Sequence, residues 1–173
     1  MVQPIQSEMH KSTMLDDEYY MQKALELAKK AYALGEAPVG AVVVKKSSGE
    51  IIGSGWNMRE SAKSPLAHAE IMALDEASRR LGGWRVVDSV LYVTLEPCPM
   101  CAGAIINSRI DRLVYGASDP KAGSVGSVID LFSFPYNHKP QVSAGVMQKE
   151  CSAILSEFFS DLRRRRQDKS GGR

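Results

Sequence analysis

Two short stretches constrain this chain more than anything else in it: Ala67-His68-Ala69-Glu70 and Pro97-Cys98-Pro99-Met100-Cys101. Cys98 and Cys101 stand at i and i+3, so at the start of a helix their sulfurs share one face and can converge on a single ion. His68 completes a set of one imidazole and two thiolates. Three protein ligands are one fewer than a closed structural zinc uses, which leaves the fourth tetrahedral position to water, as hydrolytic zinc requires. Glu70 is then a spare carboxylate, free to carry protons. On an ideal helix, positions two apart point about 200° from one another. His68 and Glu70 therefore share a site only at a helix N-terminus, and Pro65 just ahead agrees with one. The expectation is one Zn2+ per subunit on His68, Cys98 and Cys101, with Glu70 catalytic.

A lone Cys-x-x-Cys or His-x-Glu would be weak evidence, since each is more often a thiol pair or a solvated helix face. The ordered combination is what carries the argument. The rest of the composition narrows the setting: 173 residues, 44% hydrophobic and 24% charged, read as one ordinary soluble domain with no room for a second. The longest apolar stretch, Val39 to Val44, is broken by Gly40 and is far too short to span a bilayer, and the N-terminus lacks the apolar core of a signal peptide. With two of three cysteines assigned, only Cys151 remains, so a disulfide framework is excluded and a reducing, cytoplasmic compartment is expected.

Charge is distributed unevenly. From Gly145 to Arg173 there are seven Lys or Arg against four acids, a local +3, so the remainder carries −1 of the net +2. The run Arg163 to Arg166 reads either as a solvated helix end complementing the helix dipole or as a phosphate-binding edge.

Along the chain, residues 1–14 are polar and lack periodicity, a flexible leader in which His10 is not expected to be a ligand. From Asp16, the positions Met21, Ala24, Leu25, Ala28, Ala31 and Tyr32 fall at helical spacing up to Gly35. Val39–Lys45 and Ile51–Trp56 flank Ser47-Ser48-Gly49 and predict an antiparallel hairpin. A helix opening at His68 is expected to face the core with Ile71, Met72, Leu74 and Ala77 and to stop at Gly82-Gly83. Val90 to Leu95 is nearly unbroken apolar sequence, the pattern of a strand covered on both faces. A helix over Met100–Ser108 and strands at Leu113–Gly116 and Val142–Met147 then repeat a β, α, β order that implies a partly parallel sheet, with ligands beyond the strand C-terminal ends. Ser118 to Pro140 reads as an active-site loop region. The last helix carries the stripe Cys151, Ile154, Leu155, Phe158, Phe159 and Leu162; most of it suits core packing, while one of the adjacent phenylalanines can be left outside to stack on a base. The domain is expected over 15–166, with a polar tail at 167–173.

The ordered His-x-Glu and Pro-Cys-x-x-Cys resemble the signature of the zinc-dependent nucleobase deaminases, for which the same residue types hold the metal and a glutamate shuttles protons. Wider stretches, among them Gly55-Trp56-Asn57, Ala67 to Leu74, Leu91 to Cys98, Asp119-Pro120-Lys121-Ala122-Gly123 and the Phe-Phe-plus-arginine helix, resemble the bacterial tRNA-specific adenosine deaminases from about Glu18 to Arg166. That resemblance implies a three-layer α/β/α cytidine-deaminase-like fold with a five-stranded mixed sheet between helices. It implies a homodimer whose tRNA site draws on both subunits, and hydrolytic conversion of the wobble adenosine of an anticodon loop to inosine. By the same resemblance, Asn57 would hold the target base or ribose, Asp119 and Lys121 would line the anticodon-loop groove, and Phe159 with Arg163 would meet flanking nucleotides.

Two other readings use the same residues. A deaminase of a free nucleoside or base explains the zinc motif equally well but leaves the basic tail unexplained. A non-catalytic RNA-binding protein with structural zinc would need a fourth ligand from Cys151, His138 or His10, and the presence of Glu70 argues against it.

Overall fold

The apolar run at Val90 forms the middle of the molecule. In the computed structural model, residues 15–170 are described, and the elements follow in the order α1 (Asp17–Ala33), β1 (Gly40–Lys45), β2 (Ile51–Trp56), α2 (Ala69–Leu81), β3 (Ser89–Leu95), α3 (Pro99–Ser108), β4 (Arg112–Ala117), a 3-10 turn (Leu131–Ser133), β5 (Gln141–Ala144) and α4 (Gln148–Ser170). The expected leader 1–14, with His10, and the last three residues of the expected tail lie outside the described residues. The strands make one five-stranded sheet in the order β2-β1-β3-β4-β5. β1 pairs antiparallel with β2 and β3, whereas β4 runs parallel to both β3 and β5. The sheet is therefore mixed.

Alternate residues of the central strands feed two cores. Ala41, Val43, Leu91, Val93 and Leu113 pack with Ala73, Leu74, Ala77, Ala102, Ile105 and Ile106 of α2 and α3. Val42, Val44, Val90, Tyr92 and Val114 pack on the opposite face with Met21, Ala24 and Leu25 of α1 and with Cys151, Ile154 and Leu155 of α4. Both faces of β1 and β3 are covered, and for that reason these strands read as unbroken apolar sequence instead of alternating. The chain is a three-layer α/β/α sandwich, the architecture that the family resemblance implies.

Three local expectations are corrected. Met72 is 40% exposed and Ile71 only half-buried; the face of α2 turned inward is Ala69, Glu70, Ala73, Leu74 and Ala77. Small residues are needed there because the helix lies almost on the backbone of β2: a Cβ built on Gly55 would stand 2.3 Å from the Ala69 carbonyl oxygen, and one on Gly53 2.2 Å from that of Ala73. The last strand ends at Ala144, before the left-handed residues Gly145 (φ 84°) and Met147 (φ 51°), and as an edge strand it leaves Val142 exposed. Finally, α4 continues past Arg166 to Ser170.

Replacing Gly55 with valine should cost about 3 kcal/mol or more, because a rigid backbone on both sides leaves the new side chain no room to relax. The damage should be local to the first turn of α2, so thermal denaturation should show a lower Tm and the purified protein should also bind less zinc. A variant as stable and as metal-loaded as the parent would mean that α2 is not seated as described.

Candidate active site

His68 and Cys98 occupy equivalent places in the fold. Each is the N-cap residue of its helix, with extended backbone (φ −83°, ψ 150° and φ −73°, ψ 174°), and neither side chain caps its own helix. The extended residue at 68 resolves the geometric problem posed by the sequence, since His68 lies just outside the helix on which Glu70 is the second residue. Pro99 follows Cys98 at the first helical position, where its missing N–H costs nothing. Cys101, one turn on, is fully buried.

The two helix starts bring three ligand atoms together. His68 Nδ1 lies 3.7 Å from Cys98 Sγ and 3.6 Å from Cys101 Sγ. All three ligand atoms fall within 4.8 Å of one another. Zinc–sulfur and zinc–nitrogen bonds of about 2.3 and 2.0–2.1 Å at a tetrahedral angle put ligand atoms roughly 3.6 Å apart, so the donor set and its spacing fit zinc. Two helix N-termini also point at the cluster, and their positive ends favour thiolate. The thiols share a proton unequally: the Cys101 S–H bonded to Cys98 holds the latter down to about 4, while the same bond and burial push Cys101 far up. The bond to Cys98 also raises His68.

Glu70 stands in the same cleft, 3% exposed. Burial pushes its carboxyl up to about 7, with the neighbouring Cys98 acting in the same direction. A carboxyl that is close to half-protonated at neutral pH can both take and give a proton.

The cleft measures about 250 Å³ and is lined by Val39, Asn57, Arg59, His68, Glu70, Cys98, Asp119, Ala122 and Phe159, among others. A single nucleobase fits in such a volume. The sequence profile of the cytidine and deoxycytidylate deaminase zinc-binding region matches residues 14–117. The tRNA-specific adenosine deaminase of Bacillus subtilis strain 168 is 47% identical over 154 residues, covering 88% of this chain and 94% of that protein. The chain belongs to the cytidine and deoxycytidylate deaminase family, on its tRNA-specific adenosine deaminase branch. Among solved structures, one from a study of A-to-I editing by tRNA:A34 deaminases at the wobble position superposes with a TM-score of 0.76 at 43% identity, covering 79% of this chain and 99% of that one. The guanine deaminase of Nitrosomonas europaea superposes at 0.71 with 28% identity, covering 84% and 85%.

Of the residues that the sequence nominated, the deaminase brings His68, Glu70, Cys98, Asn57, Asp119 and Phe159 to this one cleft, with Cys101 behind His68 and Cys98. Phe158 turns inward against Tyr32, while Phe159 is 43% exposed at the cleft. Lys121 is exposed on the loop after Asp119 and does not line the cleft; Arg163 is exposed one turn beyond Phe159 and does not line it either. The alternative fourth ligands stand apart. Cys151 is buried in the core on the opposite face of the sheet, and His138 Nε2 donates to the Ile110 carbonyl at 2.6 Å.

Two buried glutamates that sequence reasoning passed over organise the loops beside the cleft. Glu96 accepts from the amides of Asp119 (3.0 Å), Val125 (3.3 Å) and Ser127 (2.9 Å) and from the Ser127 hydroxyl. Gly123 packs so close that a Cβ there would meet this carboxylate at 2.4 Å, which explains the glycine closing Asp119 to Gly123. Glu36 does the same for the loop after β2. Burial alone would push both carboxyls up, but the serine hydroxyl and backbone donors outweigh it and hold them below the ordinary carboxylate range. Glu96 adjoins Pro97-Cys98 and was within reach of a motif argument; Glu36, in a turn 21 residues ahead of Asn57, offered no sequence signal. Arg59, also at the cleft, was missed.

Proposed function

We propose that this deaminase hydrolyses the wobble adenosine of a tRNA anticodon loop to inosine, with His68, Cys98 and Cys101 holding zinc and Glu70 carrying the protons. One observation carries the tRNA reading: the 47% identity to a tRNA-specific adenosine deaminase runs over 154 residues, well past the zinc-binding region that ends at 117. The guanine deaminase neighbour shares the fold at 28%.

Bound zinc supplies Lewis-acid activation of water at neutral pH. Glu70 takes a proton from the attacking water as its oxygen adds to carbon 6 and delivers it to the adjacent ring nitrogen; it then takes the remaining proton from the new carbon 6 hydroxyl and passes it to the amino group as the C–N bond breaks, so that water and adenosine become inosine and ammonia. Burial of Glu70 keeps bulk solvent from competing for that proton. Asn57 and Asp119 supply polar contacts to the flipped nucleotide. Phe159 offers a face on which an unpaired base stacks, and the exposed run beginning at Arg163 extends that surface with positive charge, the combination by which splayed RNA loops are held. The protein works on its tRNA in the cytoplasm as a homodimer; the exposed Val128, Ile129, Phe134 and Tyr136 on one loop segment support a face covered by a second copy. Among the described residues no helix is long and apolar enough to cross a membrane.

Incubation of the purified protein with total bacterial tRNA, and separately with adenosine, cytidine and guanine, tests the assignment. Inosine in tRNA digests and no turnover of the free compounds is the expected result; turnover of a free base or nucleoside alone would overturn it.

The arginines add a salt-dependent arm. Arg163→Ala combined with Arg164→Ala should weaken tRNA binding and flatten the log-log salt dependence by about 0.7 per lost phosphate contact. In the Asp161–Arg164 pair the arginine is exposed and Asp161 keeps its bond from the Tyr32 hydroxyl, so the pair adds little to stability and the fold should survive. Single-turnover deamination at saturating tRNA should be retained better than affinity. Unchanged binding across a salt series would make this run a solvated helix end.

A further inference from the structure

Asn57 faces the cleft, yet an amide side chain is ambiguous until something decides which end points where. Here a buried carboxylate decides it. Asn57 Nδ2 donates to Glu36 Oε2 at 3.3 Å, and a carboxylate can only accept, so the nitrogen is turned to Glu36 and the carbonyl oxygen is left for the substrate. Glu36 is itself 1% exposed and immobilised from its other side. The Ser61 amide donates to Oε1 at 2.6 Å, the Glu60 amide to Oε2 at 3.2 Å, and the Ser61 hydroxyl to Oε1. The left-handed Gly35 (φ 76°) after α1 brings Glu36 inward, where its own amide donates to the Ala31 carbonyl at 3.0 Å. The loop it ties down leads straight to the metal ligand: the Met58 amide bonds the Ala67 carbonyl at 3.0 Å, one residue before His68.

We infer that Glu36 is a positioning residue for the deamination, acting through Asn57: it fixes the amide so that a hydrogen-bond acceptor, the Asn57 carbonyl oxygen, is presented to a donor group of the bound nucleotide, a ribose hydroxyl or a base N–H. This rests on the reading of the cleft as the nucleotide site. Glu36 never touches the substrate. A neutral glutamine in its place would turn an amide towards donors that need an acceptor, leaving Asn57 and the Glu60–Ser61 segment without their common anchor.

The test is a double-mutant cycle on kcat/KM for tRNA with Glu36→Gln, Asn57→Ala and the pair, at measured zinc content. Each single change should lower kcat/KM about tenfold, and the pair should be little worse than Asn57→Ala alone, because groups acting as one unit are not additive. Ser61→Ala, on an exposed residue whose change cannot disturb the core, should lower it in the same direction by less. Penalties that multiply in the pair, or a Glu36→Gln enzyme as active as the parent, overturn the inference. Amide exchange provides an arm independent of substrate: the Glu60 and Ser61 amides should lose protection in Glu36→Gln while those of α2 keep it. If the parent makes no inosine in tRNA, the functional reading fails instead, and exchange decides the role of Glu36: unchanged protection at Glu60 and Ser61 overturns it.

Discussion

Replacing Glu70 with alanine is expected to lower tRNA deamination by about ten-thousand-fold or more while leaving zinc content and folding intact. The size follows from the two tasks that the proposed mechanism gives this carboxyl. Removing a proton from water and delivering protons to the ring nitrogen and the amino group are each worth roughly 10²–10⁴ in rate, and one side chain serves both. Retention of the metal follows from the geometry, since the three atoms that converge on a tetrahedral site belong to His68, Cys98 and Cys101. The fold should not suffer, because Glu70 is a buried carboxyl whose charged form is disfavoured by that burial. Single-turnover measurement with saturating tRNA, alongside metal analysis, reads both halves. Near-normal turnover would remove Glu70 from the mechanism, and loss of zinc would make it a ligand.

The second large effect is expected from Cys98→Ser, and it separates metal binding from stability. Losing one of three ligands should reduce zinc affinity by more than the 10–100-fold that the loss of an outer-shell partner costs, and deamination should fall to the level of residual zinc. Without metal, the same change should leave the fold as stable as before or more so. Cys98 is the N-cap of α3 and makes no capping bond, whereas serine is among the residues best suited to that position, by about 1 kcal/mol. Compared with chelator-treated parent, Cys98→Ser should therefore unfold at an equal or higher temperature. A lower Tm for the serine variant in that comparison would mean that the cysteine supports the fold by itself.

Helix starts that carry ligands in place of caps show why so much of the site was legible in the sequence. His68, Glu70, Cys98 and Cys101 lie within short segments whose local geometry is set by their own backbone, so spacing alone predicted a meeting at two helix N-termini. The central strands were legible for a similar reason, because burial on both faces writes itself as unbroken apolar sequence at Val90 to Leu95. Of the four positions expected on the inward face of α2, Leu74 and Ala77 are buried, while Ile71 and Met72 are not. Gly53 and Gly55 bring β2 so close to Ala69, Ala73 and Ala77 that nothing larger fits at those positions, and Met72 is turned out.

The residue chemistry, the order of the two motifs and the i, i+3 and i, i+2 spacings thus predicted by themselves a three-ligand metal site with a spare carboxylate on an α/β domain. The tertiary structure alone decided which distant groups surround it: that Phe159 and not Phe158 reaches the cleft, that Lys121 and Arg163 stay outside it, that Cys151 is across the sheet, and that Glu36 and Glu96 hold its loops. The physical reason is range. Ligand spacing within a helical turn is a property of a few consecutive residues, whereas a buried carboxylate gathering amides from a loop more than 20 residues away depends on how strands and helices close around it.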